Sequence, residues 1–467
     1  MTSIAARFSI NTDDPFNALR AGILGTVVTP DHPDYEEARQ VVSIAVDRHP
    51  AAIVRCAGTE DVAFTVRFAR ERGIEIAPRS GAHSGLGHSS IDDAIVIDMG
   101  GMRGINIDPV SRTAVVQPGV TSEDLAGPAA AYGLALTTGD TGSVGIGGLT
   151  VGGGIGWMAR KYGLTIDNLL AATVVTAEGE ILRTSVEEHP DLFWAIRGGG
   201  GNFGIITDFT FQLAPNGMVH GGVIVLPATP EVLRGYLDYA PEAVDDLTTI
   251  SFLMAAPPAP FIPEDRIGEI VLLVGVTWTG ALDDVAARDA ALAPIRALAT
   301  PIADTAEAIP YPVMFVYTAE GTKRHGAAIR TMFGDDLEDA QIEAVIEAMK
   351  AASSPFNMIQ IRGMGGAIAR VPADATAFAH RDARIMLTVL GIWYDPEDDG
   401  ATHRAWASSL WEQLAPASRG AYVNFLQDDA EERLPEAYRG VLERLRSVKA
   451  QYDPENVFHY NANVRPK

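Results

Sequence analysis

The segment "GDTGSVGIGGLTVGGGIG" (residues 139–156) carries the strongest structural signal in this chain of 467 residues. Its glycines are interleaved with the apolar residues Val144, Ile146, Leu149 and Val151, which is too regular a pattern for a linker. Glycine leaves the main-chain amides open to a ligand, and several such amides together can bind a pyrophosphate with little cationic help. The segment therefore predicts a cradle for a cofactor, and close strand packing or a flexible loop is the alternative.

In chain order the first glycine cluster is "PRSGAHSGLGHSS" (residues 78–90), and residues 139–156 form the second; the first contains two histidines, His83 and His88. Histidine is the side chain used most often as nucleophile, base or ligand near neutral pH, and the glycines leave the surrounding backbone bare. Two interpretations stay open on these residues alone. The segment is either a loop wrapped around an anionic ligand or a surface turn with a solvated histidine.

A third cluster, "GGGGNFG" (residues 198–204), contains a formal G-x-G-x-x-G motif at Gly199, Gly201 and Gly204. In a dinucleotide-binding fold this motif follows a strand and begins a helix whose N-terminus faces the pyrophosphate. Here the helix-like "DLFWAIR" precedes the glycines and the strand-like "IITDFTFQL" follows them. Because this order is reversed, the motif does not indicate a Rossmann-type nicotinamide site.

Charge and cysteine content exclude several classes of function. The formal net charge is −24 and no basic run occurs, so nucleic acid and anionic membranes are not expected as partners. Cys56 is the only cysteine, which excludes an intramolecular disulfide and cysteine-based metal sites, and we predict no metal site. No apolar stretch is long enough to cross a bilayer and none resembles a signal peptide, so we expect a soluble, cytoplasmic protein.

The pattern of predicted elements favours an α+β fold. Residues before about 213 read as alternating strands and helices, in which Thr59 is predicted to cap a helix that ends at Gly73. A hairpin is predicted over 171–184, and the chain from 421 onward is predicted to form strand and loop. Between these regions we predict a second sheet with helices on one face, with strands at 220–226, 249–254 and 269–278 and helices at 282–298 and 336–352.

Four segments occur in the order of a known family's landmarks: "PRSGAHSGLG", "GSVGIGGLTVGGGIGWMARKYGLTIDNLL", "LFWAIRGGGGNFGIIT" and "YDPENVFHYNANVRP". The chain resembles the berberine bridge enzyme-like flavoproteins, which are FAD-linked oxidases of the vanillyl-alcohol oxidase type. The resemblance implies a PCMH-type FAD-binding domain formed by residues 1–213, most densely over 45–213, together with 418–467. It also implies a substrate-binding domain over 214–417, built on an antiparallel sheet covered by helices.

The resemblance gives His83 a specific role. It matches the histidine that bonds covalently to the flavin, whereas His88 has no counterpart and is read as an ordinary loop residue. Many members carry a second attachment through a cysteine, but Thr141 stands at that position here and cannot form a thioether. A single covalent bond, as in the family's histidine-only branch, is therefore implied. Val144 matches a position that controls access of dioxygen, and valine there favours an oxidase over a dehydrogenase.

The resemblance also implies the rest of the cofactor site. It assigns FAD contacts to Arg79, Ser80, Gly81, Ala82, His83, Ser84, Thr141, Gly142, Val144, Gly145, Gly147, Gly148, Gly152, Gly204, Ile205, Asn424, Tyr460, Asn461 and Asn463. In this scheme Arg79 to Ser84 surround the pyrophosphate, and the terminal segment with Tyr460 closes over the flavin ring.

Two residues are implied on the substrate side. Tyr422, in "AYVNF", matches a tyrosine that contacts the substrate hydroxyl, although a phenol with an ordinary pKa near ~10 needs a partner to act as a base. Gln360 lies where relatives carry an acid or amide, and as a neutral side chain it cannot be the base. His380 and Arg381 are read as structural, and the charged "GTKRHG" segment as a solvated loop.

The function implied is that of an FAD-dependent oxidase acting on a small organic molecule. The flavin would take a hydride from a CH–OH or CH–NH group, and dioxygen would reoxidise it with release of hydrogen peroxide. The alternatives are a flavin dehydrogenase with another acceptor and a non-catalytic protein that binds flavin or another small molecule. The substrate, which could be a sugar, alcohol, polyketide or amine, cannot be read from the sequence.

Overall fold

The computed structural model describes residues 14–467. A four-stranded sheet of order β1-β2-β4-β3 lies nearest the N-terminus of these residues, with β1 antiparallel to β2 and the other pairs parallel. Its strands and the helices beside them are β1 (Thr26–Val28), β2 (Ala52–Arg55), β3 (Ile76–Arg79), β4 (Ile95–Asp98), α1 (Asn17–Gly22), α2 (Tyr35–Ala38) and α3 (Thr59–Arg72).

Helix α3 ends as the sequence predicts but begins differently. Gly73 follows its last turn with a left-handed φ of 64°, a conformation that glycine adopts without a steric penalty. Thr59 was expected to be the N-cap, but the N-cap is Gly58, and no side chain caps the helix there. Thr59 is instead the first helical residue, and its hydroxyl bonds to that of Thr207 at 3.0 Å.

A five-stranded antiparallel sheet of order β5-β6-β9-β7-β8 follows. Its elements are β5 (Ile105–Asp108), β6 (Thr113–Val116), β7 (Leu169–Val175), β8 (Ile181–Ser185) and β9 (Ile205–Gln212), with α4 (Ser122–Ala130), α5 (Ile146–Gly152), α6 (Ala159–Tyr162) and α7 (Pro190–Ala195). The third glycine cluster runs from α7 to β9, so a helix precedes it and a strand follows it, as the sequence indicates.

The largest sheet has eight antiparallel strands in the order β13-β10-β12-β11-β16-β17-β15, with β14 also paired to β10. Its strands are β10 (Met218–Pro227), β11 (Leu247–Ala255), β12 (Ile270–Trp278), β13 (Ala303–Asp304), β14 (Glu307–Pro310), β15 (Gly326–Gly334), β16 (Met358–Gly363) and β17 (Ile385–Trp393). The helices of this region are α8 (Pro230–Tyr239), α9 (Val285–Arg296), α10 (Asp339–Lys350), α11 (Ala367–Arg370) and α12 (Ala401–Leu414).

The two faces of this sheet bury different surfaces. Ile359 and Ile361 of β16 pack into the core formed with α8, α9, α10 and α12, so these helices cover one face. Because side chains alternate along a strand, Gln360 and Arg362 point to the opposite face. That face packs against the segment that follows the second glycine cluster, including Trp157. The α+β fold class is confirmed, whereas the boundaries proposed for the two domains stay a prediction.

The predicted strand character of the terminal region is wrong. Residues beyond 421 form α13 (Ala430–Ala437) and α14 (Leu442–Tyr452), and the chain then continues without regular secondary structure. The apolar positions of α14, Leu445 and Val448, recur at helical spacing and pack into the core of the five-stranded sheet. Across residues 14–467, no helix combines the length and apolar composition needed to span a bilayer.

Arg160 links the second glycine cluster to the eight-stranded sheet. Its buried guanidinium donates hydrogen bonds to the backbone carbonyls of Pro241, Ala243 and Met364. Its backbone amide also donates to the Thr248 hydroxyl at 3.3 Å. Charged groups are rarely buried without such partners, so this arginine holds α6 firmly against the larger sheet.

Candidate active site

The loop after β3 presents a run of free backbone amides. The amides of residues 80–84 donate no hydrogen bond to any other group within residues 14–467. Ala82 has a φ of 56°, the left-handed conformation that turns successive N–H groups toward one side. Such a concave set of amides is suited to an anion such as a pyrophosphate.

The first two glycine clusters touch each other here. A Cβ atom at Gly81 would lie 2.5 Å from the Gly145 amide nitrogen, and one at Gly145 would lie 2.6 Å from that of Gly81. The amides of Gly145, Gly147 and Gly148 also lack an acceptor within residues 14–467. Glycine is therefore required at this crossing, and the two loops bring their free amides to one place.

We expect Gly145→Ala to lower the affinity for FAD by about tenfold or more, because its methyl group would collide with the Ser80 hydroxyl at 2.5 Å as well as with the backbone of Gly81. Equilibrium dialysis of protein freed of cofactor, or of a variant that cannot retain it covalently, measures this affinity. Gly127→Ala is the control, since a Cβ there meets nothing within 4 Å. Equal affinities in the two variants would contradict the proposed contact.

Arg79 and Ser80 mainly organise these loops. The buried Arg79 guanidinium donates hydrogen bonds to the carbonyls of Ser89, at 3.1 Å, and Ala38. These bonds connect the start of the loop to its end and to helix α2. Burial lowers the pKa of this guanidinium. The Ser80 hydroxyl donates to the Pro118 carbonyl at 2.5 Å.

The third glycine cluster is joined to the terminal segment through Asn202. The buried Asn202 amide donates to the carbonyls of Gly199 (2.9 Å) and Ala462 (3.1 Å) and accepts from the amide of Val464 at 2.9 Å. Asn461 adds a bond from its Nδ2 to the Gly201 carbonyl at 3.0 Å. The terminal segment is thereby fixed beside this cluster. Asn202 was not singled out in the sequence, although it is the only polar side chain within the glycine run.

Three side-chain oxygens of the terminal segment are left without a partner within residues 14–467, those of Asn456, Asn461 and Asn463, and the last two belong to the part of the segment that lies beside the third glycine cluster. The Oδ1 atoms of Asn461 and Asn463 are buried and accept no hydrogen bond within residues 14–467. A buried acceptor without a donor costs free energy, so these oxygens are suited to a bound group that supplies N–H or O–H donors. Together with the free amides, these residues fit FAD, whose pyrophosphate is anionic and whose flavin ring and ribityl chain carry such donors.

Gly204 and Ile205 have packing partners of their own. Gly204 has a φ of 151°, and a Cβ there would collide with the Val174 side chain of β7. Ile205 begins β9 and is buried in the core of the four-stranded sheet with Val175 and Phe458. The close approach of β7 to the chain explains why glycine stands at position 204.

His83 lies at the crossing of the two loops. Its Nε2 atom is 3.0 Å from the hydroxyl of Ser143 in the second glycine cluster. Burial, assisted by the charge of His325, lowers the pKa of His83 to about 4, and the Ser143 backbone only partly opposes this shift. The imidazole is therefore neutral at neutral pH, which is the form that acts as a nucleophile.

Tyr422 is the second side chain that the sequence predicts. Its buried hydroxyl oxygen accepts hydrogen bonds from the Gly154 amide at 3.1 Å and from Asn424 Nδ2 at 3.2 Å. Burial raises the pKa of Tyr422, although the two donors and the nearby Arg362 act in the opposite direction. The phenol thus keeps its proton at neutral pH, and with both donors directed at its oxygen this proton is free for another acceptor.

Gln360 belongs to a cluster that the sequence did not reveal. Gln360 Nε2 donates to Asp140 Oδ2 at 2.6 Å, and Arg362 Nη2 donates to the same oxygen at 2.8 Å. The Asp140 carbonyl in turn accepts from Trp157 Nε1 at 3.1 Å and from the Thr318 hydroxyl at 2.5 Å. Two features of the sequence could have indicated this cluster. One is the acidic Asp140 among glycines, and the other is Arg362, which lies two residues after Gln360 and therefore on the same face of its strand.

Thr141 and Val144 lie on either side of the residue that contacts His83. The Thr141 hydroxyl is 3.5 Å from Asp140 Oδ1, and its side chain faces Gly321. Val144 is half-buried, and its carbonyl accepts the amide of Ser122 at 3.0 Å. Asn424 donates to the Leu149 carbonyl at 3.3 Å, and a Cβ at Gly152 would collide with this asparagine.

His380 and Arg381 have the structural contacts that the sequence suggested. His380 stacks on Phe333 with ring centroids 4.4 Å apart, and its Nε2 donates to the Ala437 carbonyl at 3.1 Å. Arg381 forms a bidentate ion pair with Asp167 at 2.6 and 2.7 Å. The contacts of His380 join the terminal region to the larger sheet. The ion pair of Arg381 joins the segment before β7 to the chain that leads into β17.

Acid should destabilise the protein partly through His380. Burial lowers the pKa of His380 from 6.5 to about 4, so between these values the unfolded chain binds a proton that the folded chain does not. The stabilisation is complete above pH 6.5 and is lost as the pH falls toward 4. We expect the loss of unfolding free energy from pH 7 to 4 to be smaller in His380→Gln by on the order of 3 kcal/mol. Urea unfolding at both pH values measures this difference, and equal losses in both proteins would contradict it.

The charged "GTKRHG" segment also has local partners. Lys323 pairs with Glu320 at 2.8 Å, with both side chains exposed. Arg324 donates to the Val41 carbonyl at 3.0 Å and to Gln40 at 2.8 Å. The Lys323 and Arg324 charges are thus paired or hydrogen-bonded locally, which agrees with the prediction of a loop at the surface.

Two family models match the regions that form this site. The model described as FAD binding domain matches residues 50–185, and the one described as berberine and berberine like matches residues 421–465. The first range contains the loops around His83 and Ser143, and the second contains Tyr422, Asn424 and the terminal asparagines.

The similarity to individual proteins extends over nearly the whole chain. The chain is 33% identical to (R)-6-hydroxynicotine oxidase of Paenarthrobacter nicotinovorans, with 95% of this chain and 97% of that protein covered. It is 29% identical to xylooligosaccharide oxidase of Thermothelomyces thermophilus, over 89% of this chain and 87% of that protein. The crystal structure of 6-hydroxy-D-nicotine oxidase from Arthrobacter nicotinovorans matches with a TM-score of 0.83 and 31% identity, over 95% of this chain and 98% of that one.

Proposed function

The chain belongs to the berberine bridge enzyme-like family of FAD-linked oxidoreductases, and from this premise we propose that it is an oxidase for a CH–OH or CH–NH group of a small organic molecule. In this proposal FAD is bonded covalently to His83 alone, and dioxygen takes the electrons and becomes hydrogen peroxide. FAD dependence and oxidoreductase activity follow from the family. The attachment, the acceptor and the substrate are the proposed parts.

The observation that carries the proposal is the neutral His83 at the crossing of two loops of free amides. The amides of residues 80–84, with those of Gly145, Gly147 and Gly148, would hold the pyrophosphate. The unpartnered oxygens of Asn461 and Asn463 would receive donors from the cofactor, with Tyr460 beside them. The division into an FAD-binding domain (1–213 and 418–467) and a substrate-binding domain (214–417) is part of the same proposal.

Bound FAD supplies a hydride acceptor for the substrate C–H bond. The protein must orient that bond and manage the proton of the neighbouring oxygen or nitrogen. We assign the orienting role to Tyr422, because its oxygen already accepts two hydrogen bonds and its own O–H is free to donate to the substrate heteroatom. Since the pKa of this phenol is raised, Tyr422 acts as a hydrogen-bond donor in this proposal rather than as a base.

The cluster of Asp140, Gln360 and Arg362 would form the wall opposite the flavin. Its carboxylate and guanidinium neutralise each other, and Gln360 is bonded to the same carboxylate oxygen. In the strand register, the neighbours of Gln360 and Arg362 on that sheet face include the apolar Phe252 and Met386 and the hydroxyl-bearing Thr388. The higher identity to (R)-6-hydroxynicotine oxidase than to xylooligosaccharide oxidase supports a small amine or alcohol as substrate over a chain of sugars.

A peroxide-coupled screen tests the proposed function. Purified holoprotein is supplied with cyclic amines, aryl and secondary alcohols, polyketide alcohols and sugars, and hydrogen peroxide and oxygen consumption are followed together. We expect matched amounts of both with a small amine or alcohol. Turnover only with an artificial acceptor, without oxygen consumption, would favour the dehydrogenase, and no turnover with a flavin-free protein would favour the binding protein.

A further inference from the structure

We propose that Lys449 is a positioning residue, which orients the side-chain amide of Asn461 so that its oxygen faces the bound FAD. This inference rests on the contact between Asn461 and the cofactor proposed above. Lys449 lies in α14, outside the three glycine clusters, and its side chain is 0% exposed. It can therefore influence the cofactor only through the residues that surround it.

Lys449 and Asp453 form an ion pair in the interior of the protein. Both side chains are 0% exposed, and Nζ of Lys449 lies 2.6 Å from Oδ2 of Asp453. The ammonium group also donates to the carbonyls of Asn202, at 2.8 Å, and Phe458, at 2.9 Å. An ammonium group has three donors, and each of them has an acceptor here. This complete set of partners explains how the interior accommodates the charge.

Asp453 fixes the turn that follows α14. Its Oδ1 atom accepts the backbone amide of Val457 at 2.7 Å, and its Oδ2 atom accepts that of Phe458 at 2.9 Å. The carbonyl of Phe458 is bound by Lys449, so the ion pair holds both the N–H and the C=O group of this residue. The position of the Phe458 carbonyl is thereby determined by the two charged side chains together.

The Phe458 carbonyl connects this ion pair to Asn461. Nδ2 of Asn461 donates to the carbonyls of Phe458, at 3.2 Å, and Gly201, at 3.0 Å. Only the NH₂ end of an amide can donate to a carbonyl, so these two acceptors determine which way the amide points. Its Oδ1 atom faces away from them and is the buried oxygen that lacks a partner within residues 14–467. Without Lys449, the Phe458 carbonyl loses a donor and the amide loses this constraint.

A thermodynamic cycle on the affinity for FAD tests this connection. Lys449→Met, Asn461→Ala and the double variant are prepared in the background of His83→Ala and freed of cofactor, so that binding is reversible, and Kd is measured by fluorescence titration. We expect each single substitution to raise Kd by about tenfold, which is the effect of one lost hydrogen bond to the cofactor. The double variant should bind FAD no more weakly than Asn461→Ala does, because Lys449 acts on the cofactor through Asn461.

Two further variants in the same background separate positioning from stability. Leu410→Ala opens a cavity in the core between α12 and the eight-stranded sheet, so it should lower the midpoint of urea unfolding and leave Kd unchanged. Lys449→Met/Asp453→Asn removes both buried charges, so its midpoint should exceed that of Lys449→Met while Kd stays raised. The second variant also tests the inference if Lys449→Met alone fails to fold.

Three results would overturn the inference. They are a Kd of Lys449→Met equal to that of its parent, effects of Lys449→Met and Asn461→Ala that multiply in the double variant, and a Kd raised as much in Leu410→Ala. An unchanged Kd in Asn461→Ala would instead refute the proposed contact of Asn461 with FAD, and this inference with it. The peroxide-coupled screen tests the proposed activity independently of these measurements.

Discussion

Replacement of His83 by alanine should yield a protein whose acid-denatured chain has its bare mass and whose flavin is recovered entirely in the supernatant. The neutral imidazole at the loop crossing is the proposed point of attachment, and alanine offers no nucleophile there. Intact-mass spectrometry and the absorbance of the supernatant measure the result. We also expect a lower flavin midpoint potential and a kcat reduced by about tenfold or more, because the attached ring withdraws electrons from the flavin.

The matched control is His88→Gln, which changes the other histidine of the same glycine-rich loop. His88 is half-buried, as His83 is, and desolvation lowers its pKa as it does that of His83. Its variant should retain the full adduct mass. Loss of the adduct in His88→Gln with retention in His83→Ala would reassign the attachment, and an adduct in neither wild type nor variants would refute it.

Arg362→Met should lower the free energy of unfolding by about 3 kcal/mol or more and abolish most of the activity. The side chains of Arg362 and Asp140 are only 4% and 14% exposed, so loss of the guanidinium leaves a largely buried carboxylate without its counter-ion. The substitution also removes one of the two donors to Asp140 Oδ2, and the orientation of Gln360 on that same oxygen should be lost with it. Chemical denaturation and steady-state kinetics on the substrate found in the screen measure the two effects.

A double variant separates these two effects of Arg362. Asp140→Asn/Arg362→Met removes both charges, so much of the stability should return, whereas the activity should stay low because the orientation of Gln360 is lost. Arg266→Met is the control, since Arg266 pairs with Glu269 at 2.6 Å and the two side chains are 37% and 47% exposed. That loss should cost less than about 1 kcal/mol. An equal loss of unfolding free energy in both single variants would show that the buried ion pair contributes no more to stability than an exposed one.

The sequence predicted those elements whose conformation is determined by residues close together in the chain. Gly73 ends α3 because its left-handed backbone requires glycine, and β9 alternates because one of its faces is buried. The terminal helices were missed because their polar surface and Pro435, which lies inside α13, obscure the helical period. Thr59 was misassigned as a cap because its sequence context suits both the cap and the first helical position.

The candidate site was predictable only where its residues lie close together in sequence. The loop around His83 and the glycines around Gly145 carry their own signals, and the family resemblance placed Tyr422 and Gln360. The ion pair between Asp140 and Arg362 joins residues 222 positions apart, and no periodicity or spacing connects them. Such a pair becomes visible only when the packing of β16 against the second glycine cluster is known.

The buried Arg160 has a consequence for how small molecules travel to and from the reaction centre. Separation of the eight-stranded sheet from the glycine-rich loops would break the hydrogen bonds of Arg160 to three carbonyls. It would also break the ion pair between Asp140 and Arg362. A hinge motion that separates the sheet from these loops is thus disfavoured during turnover, although relative movement of domains is common in other proteins. We therefore expect the existing space between the sheet and the loops, rather than the rate of an opening motion, to set the size of the largest molecule that the protein accepts.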